Sequence, residues 1–166
     1  MKKTSFVLGL AWHALLCSAL LCWATPPAPY TAMVVDAHDG DTVKIVAEGG
    51  TKTQTIRVLC IDTPEEAWAG HWPRQPGADL AQARVARLAL GQRVTVHPKG
   101  AYTYGRLLAS IELPDKRDLA TVLIQEGLGW ARCKVNRPDM EEAKAAKIGI
   151  WRARAIDPSK WRKGER

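Results

Sequence analysis

Three short β-forming segments precede the first helix-forming one, and the turns between them are too brief for a crossover. Residues 30–35 are rich in β-formers, His38-Asp39-Gly40 is turn chemistry, and residues 41–46 alternate apolar with polar positions. Glu48-Gly49-Gly50 makes the next turn. Residues 53–61 then read as a third strand, with Ile56, Val58 and Cys60 on one face and Arg57 and Leu59 on the other. Strands joined this closely form a meander, which needs further strands before it can close or bury a face.

The rest of the chain supplies them. Residues 66–77 carry Gly70, Pro73 and Pro76 and read as a loop. Asp79 is placed to cap a helix that runs to about Leu90 and stops at Gly91. Residues 93–99 and 107–113 are a fourth and a fifth strand, and residues 118–126 a second helix ended by Gly127. Pro138 and Asp139 open a last helix that reaches Ile148 before Gly149. Five short strands with a helix between the third and fourth point to a β-barrel with helices, of the α+β class: a five-stranded Greek-key barrel of the OB type with three helices. Residues 30–151 would make this domain, residues 25–29 a linker, and residues 152–166 a basic, frayed tail.

The first 24 residues stand apart. Lys2 and Lys3 precede an apolar run from Phe6 to Trp23, and Cys22-Trp23-Ala24 places small residues where a signal peptidase needs them. The expectation is a cleaved secretory signal over residues 1–24 and a secreted or periplasmic product; an uncleaved membrane anchor is the alternative. The whole chain carries a formal charge of +7. Loss of Lys2 and Lys3 leaves 22 basic against 17 acidic residues, a net +5. A basic balance favours a polyanionic partner, but many basic proteins are merely soluble. Cleavage would leave Cys60 and Cys133, which either pair as one disulfide or stay as two buried thiols. No Cys-x-x-Cys occurs and His38, His71 and His97 are isolated, which argues against zinc.

The chemistry-bearing residues cluster at strand ends. Asp41 and Asp62 could meet at the mouth of neighbouring strands and, with a backbone carbonyl and water, make an all-oxygen site for Ca²⁺ or Mg²⁺. Arg57 and Arg106 could fork onto the non-bridging oxygens of a phosphodiester, and Glu65 could orient or deprotonate water. Each fragment alone is uninformative: Asp39-Gly40-Asp41 is most often only a turn, and Tyr104-Gly105-Arg106 is a common tripeptide. Together they supply what phosphodiester hydrolysis requires.

The succession Asp39-Gly40-Asp41-Thr42-Val43, Arg57 through Asp62-Thr63-Pro64-Glu65, Tyr104-Gly105-Arg106, Glu126-Gly127-Leu128 and Gly149-Ile150-Trp151 resembles that of the micrococcal (staphylococcal) nuclease family. The resemblance implies an OB-fold, Ca²⁺-dependent endonuclease and exonuclease that cuts DNA and RNA without sequence preference and leaves 3′-phosphate ends. It further implies that Asp41, Asp62 and the backbone carbonyl of Thr63 hold Ca²⁺. Glu65 would serve as general base, Arg57 and Arg106 would bind the scissile phosphate, and Asp39 would support the metal site. Its partner would be nucleic acid, with no membrane contact after cleavage of the leader, and the protein would be a monomer. The chain departs from the family at Tyr102 and Thr103, where an acid and a lysine are usual, and at Ala120, where an asparagine is common. No tyrosine follows the second helix, so contact with bases would fall to Tyr104, Trp130, Trp68 or Trp72. The competing reading is a nucleic-acid-binding module with weak or lost catalysis. Retention of Asp41, Arg57, Asp62, Glu65 and Arg106 favours the enzyme.

Overall fold

The computed structural model describes residues 27–166, so the expected signal segment and the first two residues of the linker lie outside the described residues. No helix among the described residues is long and apolar enough to cross a membrane.

Five strands close a barrel. β1 (Tyr30–Ala37), β2 (Thr42–Ala47) and β3 (Thr53–Val58) form the antiparallel meander. β4 is a two-residue strand (Ile61–Asp62) outside the barrel. β5 (Arg93–Thr103) and β6 (Arg106–Glu112) follow α1 (Ala78–Ala89). The order around the barrel is β1-β2-β3-β6-β5, with β5 returning to β1 and β3 running parallel to β6. The helix between the third and fourth barrel strands makes that parallel pairing possible, because it carries the chain across the barrel end before β5 begins. Inward positions alternate as the sequence implies. Val34, Val43, Ile45, Ile56, Val94, Val96, Ala109 and Ile111 fill the interior, and Ala81, Val85 and Ala89 of α1 close one side of it. α2 (Leu119–Gln125) is buried along most of its length and is capped by Asp118, whose carboxylate accepts the Thr121 N–H at 2.8 Å. α3 (Arg137–Ala145) packs over α2 and buries only Ala143.

The structure corrects the sequence reading in five places. The third strand ends at Val58, because Cys60 adopts a left-handed backbone (φ 68°). The chain turns there, and Ile61–Asp62 pairs instead with β7 (Trp130–Ala131). Alternation carried the expected strand through Cys60, but that sulfur bonds to Cys133 rather than packing in the barrel. α1 begins two residues earlier than a cap at Asp79 implies: Gly77, at φ 94°, occupies the cap position, and Asp79 sits in the first turn. β5 continues to Thr103 through an irregularity between Pro98 and Tyr102. The last predicted helix stops at Ala145, since Lys147 (φ 53°) breaks it, and Gly149–Arg152 forms a separate 3₁₀ turn. The tail is not frayed. It forms a short helix, α4 (Pro158–Trp161), with Asp157 as cap and Trp161 buried at 7% exposure.

The Cys60–Cys133 bridge spans 73 residues of sequence and links the β3–β4 turn to the segment after β7. Closing a loop of that length restricts the unfolded chain, and its removal costs about 2–5 kcal/mol. A Cys60→Ser/Cys133→Ser variant should therefore unfold at lower denaturant than the oxidised parent. Equal unfolding midpoints would mean the bridge contributes nothing.

Candidate active site

Two carboxylates are buried beside one another, Asp41 at 6% and Asp62 at 4% exposure. Asp41 precedes β2 in a turn that Asp39 builds, its carboxylate accepting the Asp41 N–H at 2.9 Å. Gly40 lets this turn press inward, because a Cβ there would lie 2.6 Å from both the Ala81 Cβ of α1 and the Thr63 Oγ1. The two acids are stitched together by backbone and by cation. The Thr63 N–H donates to Asp41 Oδ2 at 3.0 Å. Arg57 Nη2 lies 3.1 Å from the same oxygen and 2.9 Å from Asp62 Oδ1. Its other terminal nitrogen donates to the carbonyls of Val58 and Ile61 at 2.8 and 2.9 Å. The turn at Cys60 makes this possible: it folds Ile61 and Asp62 back over the strand that carries Arg57.

Burial pushes the Asp41 carboxyl well above the usual carboxylate range; Arg57 pulls it back, Asp39 and Asp62 add to the rise, and the Thr63 N–H opposes it. The cost of burying two neighbouring carboxyls is offset by the Arg57 cation between them. Glu65 stands beside it, on the loop after β4. Burial raises its pKa too, against the charge and hydrogen bond of Arg162. Its backbone is held by Gln75, which accepts the Glu65 N–H on Oε1 at 3.0 Å and returns its own N–H to the Glu65 carbonyl at 2.8 Å.

Arg106 begins β6, directly after the Tyr104-Gly105 turn, where both residues have positive φ, as a two-residue hairpin loop requires. Its Nη1 donates to Thr42 Oγ1 at 3.2 Å, and that hydroxyl donates in turn to Asp41 Oδ1 at 3.3 Å. Asp39, Asp41, Arg57, Asp62, Thr63, Glu65 and Arg106 thus converge on one end of the barrel. Tyr104 projects from the hairpin tip, 95% exposed. Trp130 does not serve as an open platform for bases. It is 8% exposed and packs edge-on against Trp151 with ring centroids 4.8 Å apart, because β7 pairs with β4 and turns its indole inward. Trp68 is the exposed tryptophan of the 66–77 loop, at 55%, tilted against His71.

Sequence reasoning missed two arginines. Arg132, next to Cys133, donates to Asp62 Oδ2 through Nη2 at 2.6 Å and grips Asp157 at 2.9 and 2.7 Å. Arg162, just past α4, contacts Glu65 and Asp62. Burial would raise the Asp157 pKa, but the bonds from Arg132 and Ser159 hold it well below the carboxylate range. A signal for this was present: Asp157-Pro158 is a helix-start pair, and a tryptophan within a basic tail marks a docked segment.

Chemically, the site offers oxygen donors only, from Asp41, Asp62 and nearby backbone, which suits a hard divalent cation. Among the described residues no cluster of three or more His, Cys, Asp or Glu side chains forms a closed cage, so a cation here would rest on few protein ligands.

A sequence profile described as staphylococcal nuclease homologue matches residues 55–153. An uncharacterized endonuclease of Escherichia coli O157:H7 is 28% identical over 150 residues, covering 86% of this chain and 92% of that protein. A probable endonuclease of Verticillium alfalfae is 29% identical over 120 residues, covering 64% of this chain and 42% of its own length.

The packing at Gly40 gives a direct check on how the site is built. Gly40→Ala should lower unfolding stability by about 1–3 kcal/mol, the usual cost of forcing atoms into a filled space. Unfolding midpoints of the two proteins measure this, and an unchanged midpoint would show that the turn does not need its close approach to Thr63 and α1.

Proposed function

This chain belongs to the staphylococcal nuclease homologue family, and on that premise we propose that it hydrolyses phosphodiester bonds in DNA and RNA with the help of Ca²⁺, leaving 3′-phosphate ends. The observation that carries the reading is the convergence of the Asp41–Asp62 pair with Arg57, Arg106 and Glu65 at one barrel end. Nuclease activity in the broad sense also fits the names of the relatives, each called an endonuclease.

In this reading Asp41, Asp62 and the Thr63 carbonyl hold the cation, with Asp39 bracing Asp41 from behind. When bound, such a cation would neutralise the phosphate and lower the pKa of water near it. The remaining work falls to side chains. Glu65 accepts a proton from the attacking water, whose oxygen bonds to phosphorus as the bond to the 5′-oxygen breaks. That oxygen takes a proton from solvent water as it leaves, and the 3′ side keeps the phosphate. Arg57 and Arg106 hold the non-bridging oxygens and stabilise the charge that grows on them. These groups address phosphate and water, which carry no sequence information, so cleavage would be largely non-specific and open to both internal and terminal bonds. Tyr104, exposed at the tip of the hairpin beside Arg106, would meet a sugar or base of the substrate in this reading.

Two further observations support export. In the leader over residues 1–24 an apolar run from Phe6 to Trp23 follows two lysines, and a Cys60–Cys133 bridge suits an oxidising compartment, so the protein would work secreted or in a periplasm, as a soluble monomer.

Purified protein should degrade denatured DNA and RNA when Ca²⁺ is supplied and stop when EDTA is added. Glu65→Gln should retain the fold and lower kcat by about 10²–10⁴-fold, the usual worth of a general base. Cleavage indifferent to Ca²⁺ would remove the cation from the mechanism. Tight binding without any cleavage would turn the reading to a nucleic-acid-binding module.

A further inference from the structure

The last thirteen residues lie beyond the stretch matched by the family profile, yet residues 156–162 are tied to the site by several separate contacts. Asp157 caps α4 through the Ser159 N–H at 2.8 Å and forks onto Arg132, which holds Asp62. Trp161 is buried, and its indole N–H donates to the Pro73 carbonyl at 2.9 Å. Gln75, only 2% exposed, clamps the Glu65 backbone on one side and donates to the Ile156 carbonyl at 2.5 Å on the other. Both Pro73 and Gln75 belong to the loop that carries Glu65. The tail is therefore fastened to the segment that carries Glu65, and to Arg132, which holds Asp62.

Arg162 lies at the end of this segment with its side chain 34% exposed. Its Nη1 hydrogen-bonds Glu65 Oε1, while its contacts with Asp62 are long, at 3.4 and 3.3 Å. Glu65 is thus its main partner and Asp62 its secondary one. Arg132 has the opposite bias, reaching Asp62 at 2.6 Å. A cation settling on Asp62 would weaken the long contacts and leave the one with Glu65 in place. This matters because Glu65 sits on an irregular loop, where its side-chain torsions are held by little else. A general base must lie within hydrogen-bond reach of its water, and a planar guanidinium docked through a buried anchor fixes a carboxylate far better than a free ammonium does.

We propose that Arg162 is a positioning residue for Glu65 in phosphodiester hydrolysis, and that residues 156–162 are a working part of the active site. The inference rests on the nuclease reading above. Arg162 acts through Glu65: it need not touch the substrate, and its effect falls on turnover more than on substrate binding.

The test compares Arg162→Ala, Arg162→Lys and Lys163→Ala with the parent protein in steady-state cleavage of single-stranded DNA with Ca²⁺, alongside calorimetric titration of Ca²⁺ without substrate. Arg162→Ala should lower kcat about 10–100-fold, the usual cost of losing a group that orients a site residue. Its KM should stay within about threefold, since ground-state binding is not what is lost. Arg162→Lys should recover part of the loss. Lys163→Ala, which removes one exposed positive charge at the next position, should match the parent. Ca²⁺ affinity in Arg162→Ala should be equal or tighter, because a competitor for Asp62 is gone. Parental kcat, faster cleavage, a rise in KM alone or a loss of Ca²⁺ binding would each overturn the proposal. If Arg162→Ala fails to fold, Arg162→Lys carries the test, and parental kcat in that variant overturns it. A parent protein that cuts nothing would remove the nuclease reading, whereas a parent that cuts and an Arg162→Ala that cuts equally well would remove only this inference.

Discussion

Arg57 lies between two carboxylates that are almost wholly out of water, and the architecture around the site serves that arrangement. An unpaired buried carboxylate is costly, and two of them side by side are worse. The chain meets the cost by bringing donors from many directions. β3 supplies Arg57, which also bonds the carbonyls of Val58 and Ile61 and so fixes the turn that returns Asp62 to it. The Thr63 N–H and the Thr42 hydroxyl reach Asp41, and Arg132 reaches Asp62 from β7's neighbour in sequence. The barrel places the ends of β2, β3 and β6 together, and the Cys60–Cys133 bridge pins the turn to the segment that carries Arg132.

A site held this way is organised before any ligand arrives. Reorganisation during reaction is expensive, so donors and charges fixed in advance contribute most to catalysis. Burial leaves Asp41 with a raised pKa despite the charge of Arg57. In the proposed mechanism a divalent cation would add positive charge here, and a phosphodiester would meet Arg57 and Arg106. Glu65 differs from the rest, because it stands on a loop and not on the barrel. The tail contacts through Gln75, Trp161 and Arg162 give it the support that a strand gives Arg57.

What was legible in the sequence follows from how local each feature is. The barrel strands were readable because alternation of apolar residues is a property of the strand itself, as in β2 and β6. The nearness of Asp41, Arg57 and Asp62 was readable because turn chemistry and strand ends place them, whereas the roles assigned to them came from the family resemblance. Features set by distant partners were not. Cys60 continues the alternation of β3, and only its bond to a residue 73 positions away shows that the strand has already ended. Trp130 looked available because its burial depends on Trp151 and on the pairing of β7 with β4. The tail was read by its charge, which describes a solvated segment, although Trp161 and the Asp157-Pro158 pair describe a docked one. Arg132 and Arg162 were hidden for the same reason: their partners Asp62 and Glu65 are far away in sequence.

Asp41 and Asp62, proposed above to hold a divalent cation together, can be tested for that directly. Calorimetric titration of Ca²⁺ into the parent protein and into Asp41→Asn tests it without reference to activity. Saturable binding to one site in the parent, lost or strongly weakened in Asp41→Asn while the fold is kept, is the expected result. No binding to the parent, or equal binding to both proteins, would contradict it.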